Sequence, residues 1–324
     1  MSQITHREPQ KEFIIAIAVT TLIAMAGLYL PVLGFVVSVF VPLPVLFYRA
    51  KLGRSQGALI LIAVTLIVAS VMGRWSITST AFFFELGLVG FILSEVFSMN
   101  LSVEKTVAVT TGVVIATGGV MLGLHGLLST NSIWGLMSDY LQGNLQLALA
   151  MYKEMEVSEE RIAILSQSME GILYVMLRIT PAIAIVATLF VVWSNLLLAR
   201  PLLRSRDLFC PDFGTLKEWK APEPLVWLVI LSGVLILMPN QGIKLLGING
   251  LIIMMMIYFF QGIAIVSFYF EKKQFPKLLR GILYGLIALQ QLVLLLVIAA
   301  GFLDMWIDFR RMKKGAENQD ESHT

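Results

Sequence analysis

The sequence predicts an all-α integral membrane protein, a polytopic bundle of about eight or nine transmembrane helices. Three observations predict it. The 324 residues are 57% hydrophobic and 14% charged, with a mean hydropathy of +0.83, whereas a soluble chain is about 45–50% apolar and about 25% charged. Apolar runs recur at about 17–25 residues, the length that carries a helix across a hydrocarbon core of about 30 Å. Positive charge gathers in alternate connecting loops, as it does where basic loops stay in the cytoplasm.

The elements follow in order. Residues 1–12 form a polar tail. The apolar run behind it is too long for a removable signal peptide and lacks a small-residue cleavage site. That run, 13–48, is nearly twice one span, and Pro31 divides it by removing an amide donor and disfavouring helix in the residue before it. The first two spans are therefore 13–30 and 32–48, the second kinked or partly unwound by Pro42 and Pro44. Spans 57–72, 81–97, 106–128 and 172–198 follow, then a short one at 225–238 stopped by Pro239, then 248–270. The last apolar segment is 281–306, ahead of a polar tail at 307–324. All of 13–306 reads as a single integral membrane domain, with an insertion at 129–171 and a cytoplasmic loop at 199–224.

The insertion differs from the spans. It carries Asp139, Lys153, Glu154, Glu156, Glu159, Glu160, Arg161 and Glu170. Leu136, Tyr140, Leu147 and Met151, then Ile162, Leu165 and Met169, recur at helical spacing. Two readings stand: amphipathic helices against the membrane or capping the bundle, or a soluble helical hairpin.

Charge gives the orientation. With a cytoplasmic N-terminus, fifteen basic residues fall in inside loops and four outside. The tail breaks the pattern, because Arg310, Arg311, Lys313 and Lys314 follow a ninth span that should end outside, and Gln290 and Gln291 interrupt that span. Nine full spans with an external tail, a re-entrant final segment buried in protein, or one span fewer or more than counted all satisfy the sequence; the length of the run favours nine.

Ionisable and amide groups inside spans are the default functional candidates, since they are costly in lipid. Glu85 and Glu95 lie ten residues apart on one span, about 15 Å along its axis, so they cannot act as a paired acid and base. Either could line a solute or proton path, or snorkel to an interface. Arg178 shares a helix face with Glu170, and either pairs within the protein or meets an anionic substrate. Asn195, Asn249 and Gln261 either line a cavity or tie helices together. His125 stands alone, without a second ligand at helical spacing. Ala16, Thr20 and Ala24 form a small-residue face, and Gly112, Gly118, Gly119 and Gly123 crowd the fifth span. Such faces serve internal packing or the docking of a partner subunit.

No motif identifies a reaction. Phosphate-binding loops, zinc-protease and serine-hydrolase signatures and paired cysteines are absent, and Cys210 is the single cysteine. No cofactor or metal is expected, and basic residues at span ends read as topology signals and not as a nucleic-acid surface.

The closing stretch Gly301-Phe-Leu-Asp-Met-Trp-Ile-Asp-Phe-Arg310 places Asp304 and Asp308 on one helical face, with Arg311 three residues on. By itself this describes an ion-paired helix end at the membrane surface. Together with Trp306, the Pro31-Val-Leu-Gly34 and Pro42-Leu-Pro44 pair, Asn249 and Phe260-Gln-Gly262, it resembles the YybS-like family of predicted bacterial membrane proteins, a domain of unknown function. The resemblance implies a cell inner membrane location over nearly the whole chain. It also implies a layout similar, in the first six spans, to the substrate subunits of energy-coupling-factor transporters, with Ala16, Thr20 and Ala24 as the matching face. The expected function is solute binding or transport, with Arg178, Glu85, Glu95, Asn195, Asn249 and Gln261 as candidate substrate contacts. The alternative is a membrane scaffold for envelope or division machinery. The lipid bilayer and membrane protein subunits are the expected partners.

Overall fold

The computed structural model describes residues 9–30, 33–71, 77–128, 133–155 and 158–310. The proposed turn at Pro31, and Arg311, Lys313 and Lys314, lie outside the described residues. Among the described residues there is no strand, and the helices are α1 (Pro9–Tyr29), α2 (Gly34–Ser38), α3 (Pro42–Leu52), α4 (Arg54–Val71), α5 (Ile77–Ser98) and α6 (Val103–Leu128). They continue with α7 (Ile133–Glu154), α8 (Glu159–Arg204), α9 (Leu225–Leu237), α10 (Gln241–Lys272), α11 (Lys277–Leu289) and α12 (Gln291–Ile307). Among the described residues, seven helical segments, with α2 and α3 counted as one, are long and apolar enough to cross a membrane, and the bent pair α11–α12 would make eight. Where the sequence suggested one membrane domain, the chain divides into two compact units: Met1–Leu177 with Ala187–Asp212, and Arg178–Val186 with Phe213–Thr324.

Unit 1 is built around α1, α3, α4, α5 and α6. Its core joins Ala16 and Ala24 of α1 to Val41, to Ile60, Val64 and Val68 of α4, and to Phe83 and Leu86 of α5. The four-residue spacing of Ala16, Thr20 and Ala24 puts them on one face of α1, and all three are fully buried. These small side chains let α1 pack closely on its own fold, which is the internal-packing reading of that face. Glycines do not all behave so. A side chain at Gly90 would collide with the Pro42 carbonyl, so α5 touches the α2–α3 break there, whereas Gly112, Gly119 and Gly123 of α6 face open space.

Proline chemistry explains the break in the second span. Pro42 and Pro44 have no N–H for the carbonyls four residues earlier. Val41 N therefore bonds Ser38 O at 3.1 Å and Leu43 N bonds Phe40 O at 3.1 Å, a tighter pitch. Leu43 N is thereby drawn away from Val39 O. Asn195 fills the gap, its Nδ2 donating to Val39 O at 2.8 Å.

α8 is 46 residues, about 69 Å at about 1.5 Å per residue, more than twice a hydrocarbon core. The second predicted amphipathic helix is thus no separate element but the N-terminal part of the helix that includes span 172–198. Its predecessor is α7, on which Tyr140, Leu147 and Met151 are all exposed.

Unit 2 begins with a hairpin. Asn240 caps α10 by accepting from Gly242 N at 2.9 Å and Ile243 N at 3.2 Å. Gly247 and Gly250 let α10 close on Ser232 of α9. Further along, a side chain at Gly262 would collide with Val297 O, and one at Gly301 with Tyr258 O, so α10 and α12 meet nearly backbone to backbone.

The final segment corrects the expected ninth span. α11 and α12 are bent by 99° at Gln290, a single extended residue (φ −97°, ψ 107°) marked by neither proline nor glycine. The ends of α10 and α12 converge on one loop. Lys217 pairs with Glu271 at 2.7 Å, Arg310 donates to the carbonyls of Lys217 and Trp219 at 3.1 and 2.9 Å, and the Tyr269 hydroxyl donates to Phe309 O at 2.7 Å. The chain leaves that end of unit 2 after α10 and returns to it after α12. One straight crossing cannot do that.

Candidate functional site

Among the described residues, Glu85 is a carboxylate inside a span that the fold leaves with both oxygens unpartnered. α5 places it nine residues into a 22-residue helix, well inside the span, and aims it at α6, where it stands 3.6–3.9 Å from the point that a side chain on Gly118 would occupy. Glycine at 118 makes the room. Both carboxyl oxygens are buried and neither has a hydrogen-bond partner among the described residues. An isolated charge inside a span is costly. A carboxyl group there needs a donor, either its own proton or N–H or O–H groups on something that enters.

The other predicted residues have local employment. Glu95 accepts from Arg49 through Nη2 at 2.6 Å and Nε at 3.0 Å, and stands 3.4 Å from Arg54 Nε as a looser ion pair. It ties the α3–α4 connection to the end of α5. Asn195 is fully buried, and besides Val39 O it reaches Val191 O at 2.8 Å. Asn249 Nδ2 donates to Arg178 O at 3.0 Å while its Oδ1 accepts from Ala182 N at 3.2 Å. It bridges the two groups that an unbroken helix would pair with each other, beside the imino nitrogen of Pro181. The Arg178 side chain is exposed. Glu85 and Asn195, both in unit 1, have separate surroundings, and so do Asn249 and Gln261 of α10, twelve residues apart.

Gln261 belongs to a lock at the foot of unit 2. Its Oε1 accepts from Ala221 N at 3.1 Å and its Nε2 donates to Asp304 Oδ2 at 3.2 Å. Arg310 Nη2 meets the same oxygen at 2.6 Å, with side-chain exposures of 5% and 0% for the pair. Lys220 holds Asp308 at 2.9 Å, and Asp308 closes α12 in the left-handed conformation (φ 47°). Asp304 thus pairs with Arg310. Gly301 supplies the close approach above them, and Trp306 is exposed, stacked edge-on to Phe302 at 5.0 Å.

Sequence reasoning missed Arg49 and Arg54 as the partners of Glu95, and Ser94 as a partner of Arg49. Forty-odd residues separate them, and no local pattern signals the pairing. It also left Lys51 and Glu12 apart, which pair at 2.9 Å. Gly118 was noticed only as a small residue.

Comparison with known proteins agrees with this architecture. The family described as "Predicted membrane protein (DUF2232)" matches residues 18–305. The chain is 26% identical over 309 residues to the "Uncharacterized protein YybS" of Bacillus subtilis (strain 168), covering 93% of this chain and 96% of that protein. No solved structure matches.

Proposed function

The chain belongs to the predicted membrane protein family DUF2232, and on that premise we propose that it is a solute-binding, transport-related multi-pass protein of the cell membrane, with Glu85 as the group that meets the solute. One observation carries this reading: a carboxyl group inside a span, both oxygens buried and without a partner among the described residues. Structural carboxylates elsewhere in the chain are paired, as Glu12, Glu95 and Asp304 are. A group kept unpaired in lipid is a default functional candidate. Its chemistry suits a solute that donates hydrogen bonds, an amine or a polyol, arriving as α5 and α6 part. The layout of six early spans supports the same reading by analogy of fold only.

The test is binding and uptake by the purified full chain in liposomes, alone and with candidate partner subunits. Across a panel of amine and hydroxyl solutes, at least one should bind saturably. Glu85→Gln should weaken that binding by about tenfold or more, the size of a lost charge-assisted hydrogen bond. A panel that neither binds nor crosses, or binding indifferent to Glu85→Gln, would sink the reading.

A second reading, a scaffold for envelope machinery, is favoured by the exposed Tyr140, Leu147 and Met151 of α7. Crosslinking through α7 that captures a stable protein partner, with no solute bound, would favour it.

A further inference from the structure

The end of unit 1 where α3, α5 and α8 finish holds a feature that a Glu85 site does not use. A cavity of about 290 Å³ opens there, floored by Arg49 and the buried Ser94, walled by Phe97, Leu203 and Phe209, with the exposed Ser98 at its mouth. Arg49 is held in place without being neutralised. Its Nη1 donates to Ser94 O at 3.1 Å, and its carboxylate partner, Glu95, is shared with Arg54. Two guanidinium groups on one carboxylate leave a surplus positive charge. More lies close by, since Arg200 and Arg204 both act on the thiol of Cys210, the neighbour of Phe209. Arg204 reaches Asp212 only at 3.7 Å, with both side chains largely exposed, a pair worth little in water.

The walls say something else. Phe209 is 61% exposed at the mouth of this charged floor, so the cavity offers cation and hydrocarbon side by side. It lies where Arg49, Lys51, Arg54 and Arg204 gather, the level of a span end and of lipid headgroups. Basic pockets between helices at that level suit anionic headgroups, and guanidinium groups suit phosphate oxygens.

We propose that this cavity binds a phosphate-headed anion with an apolar body, and that its source is an anionic phospholipid of the surrounding membrane. The phosphate faces Arg49 and the two serines. The first carbons of the acyl chains lie on Phe97, Leu203 and Phe209. The lipid thereby bridges the ends of α3, α5 and α8.

Native mass spectrometry of the full chain tests this, with phosphatidylglycerol and phosphatidylcholine offered in equal amounts. The expected result is retention of phosphatidylglycerol over phosphatidylcholine by about tenfold. Two variants should abolish the preference. Arg49→Lys keeps the charge and loses the fork; Ser98→Trp fills the mouth and leaves the Arg49–Glu95 pair intact, with an unchanged thermal transition as the check that it folds. Equal retention of both lipids overturns the proposal, as does a preference that survives both variants. Displacement of the lipid by glycerol 3-phosphate at matched concentration would keep the anion site and overturn its lipid source.

Discussion

At Asn195 and Asn249 single side chains complete backbones that prolines interrupt. Asn195 takes the carbonyl of Val39 that Pro42 and Pro44 strand, and Asn249 spans Arg178 and Ala182 beside Pro181. Their amides were visible in the sequence as polar groups in apolar helices. Their partners were not, because 156 and about 70 residues separate donor from acceptor. The buried Asp304–Arg310 pair makes a sharper prediction. Arg310→Ala leaves Asp304 charged and without its cation, which should lower stability by about 3–5 kcal/mol, and replacing both by leucine should recover most of it. Denaturant unfolding in detergent measures this, and a double variant no better than the single one would show the pair is not the cause. Cys210 predicts a pH profile. Burial pushes its thiol up, against the downward pull of Arg200 and Arg204. Since the thiolate is the nucleophile, maleimide should react more slowly with the folded chain than with the unfolded one at pH 7, and the folded rate should climb only at higher pH. Coincident profiles would mean the thiol is solvated.

Among the elements, α10 and α12 owe their contact to two glycines. Gly262→Val and Gly301→Val each push a side chain into an opposing carbonyl, and should cost about 1–3 kcal/mol, the usual penalty of overpacking. Gly285→Ala and Gly112→Ala enter open space and should be neutral or slightly stabilising, alanine being the better helix former. Thermal unfolding of the four variants would refute the packing argument if the two classes behaved alike. The same contrast explains what was legible. Glycine frequency in α6 suggested close packing, yet of Gly112, Gly118, Gly119 and Gly123 only Gly118 faces another segment's side chain, and that is Glu85. Spacing reports which residues share a helix face. It is silent on what lies opposite. The kink before α3 could be read from Pro42 and Pro44, whereas Gln290 and Gln291 marked only a polar interruption of the last segment and not its 99° bend, because no residue there dictates extended backbone.

For the whole molecule, the ties among Lys217, Glu271, Tyr269 and Arg310 bear on topology. They hold the end of α12 against a basic loop that charge assigns to the cytoplasm, so the tail's positive charge no longer contradicts the inside-positive pattern. Both tails are therefore expected on the cytoplasmic side. Ser2→Cys and Ser322→Cys, each made in a Cys210→Ser background, should label with an impermeant maleimide in inside-out vesicles and be protected in right-side-out ones. Labelling from opposite faces would restore nine full crossings. Composition and run length by themselves determined the membrane, the helices and seven of the spans, with 225–238 a shorter apolar helix, because a lipid core demands satisfied backbones and apolar surfaces wherever the chain crosses it. Only tertiary structure decided that Ala16, Thr20 and Ala24 face inward, that Asn195, Asn249 and Gln261 are taken up within the fold, and that Glu85 is left without a partner. Those outcomes depend on which side chains meet across segments distant in sequence, and a hydropathy pattern carries the need for a partner without its address.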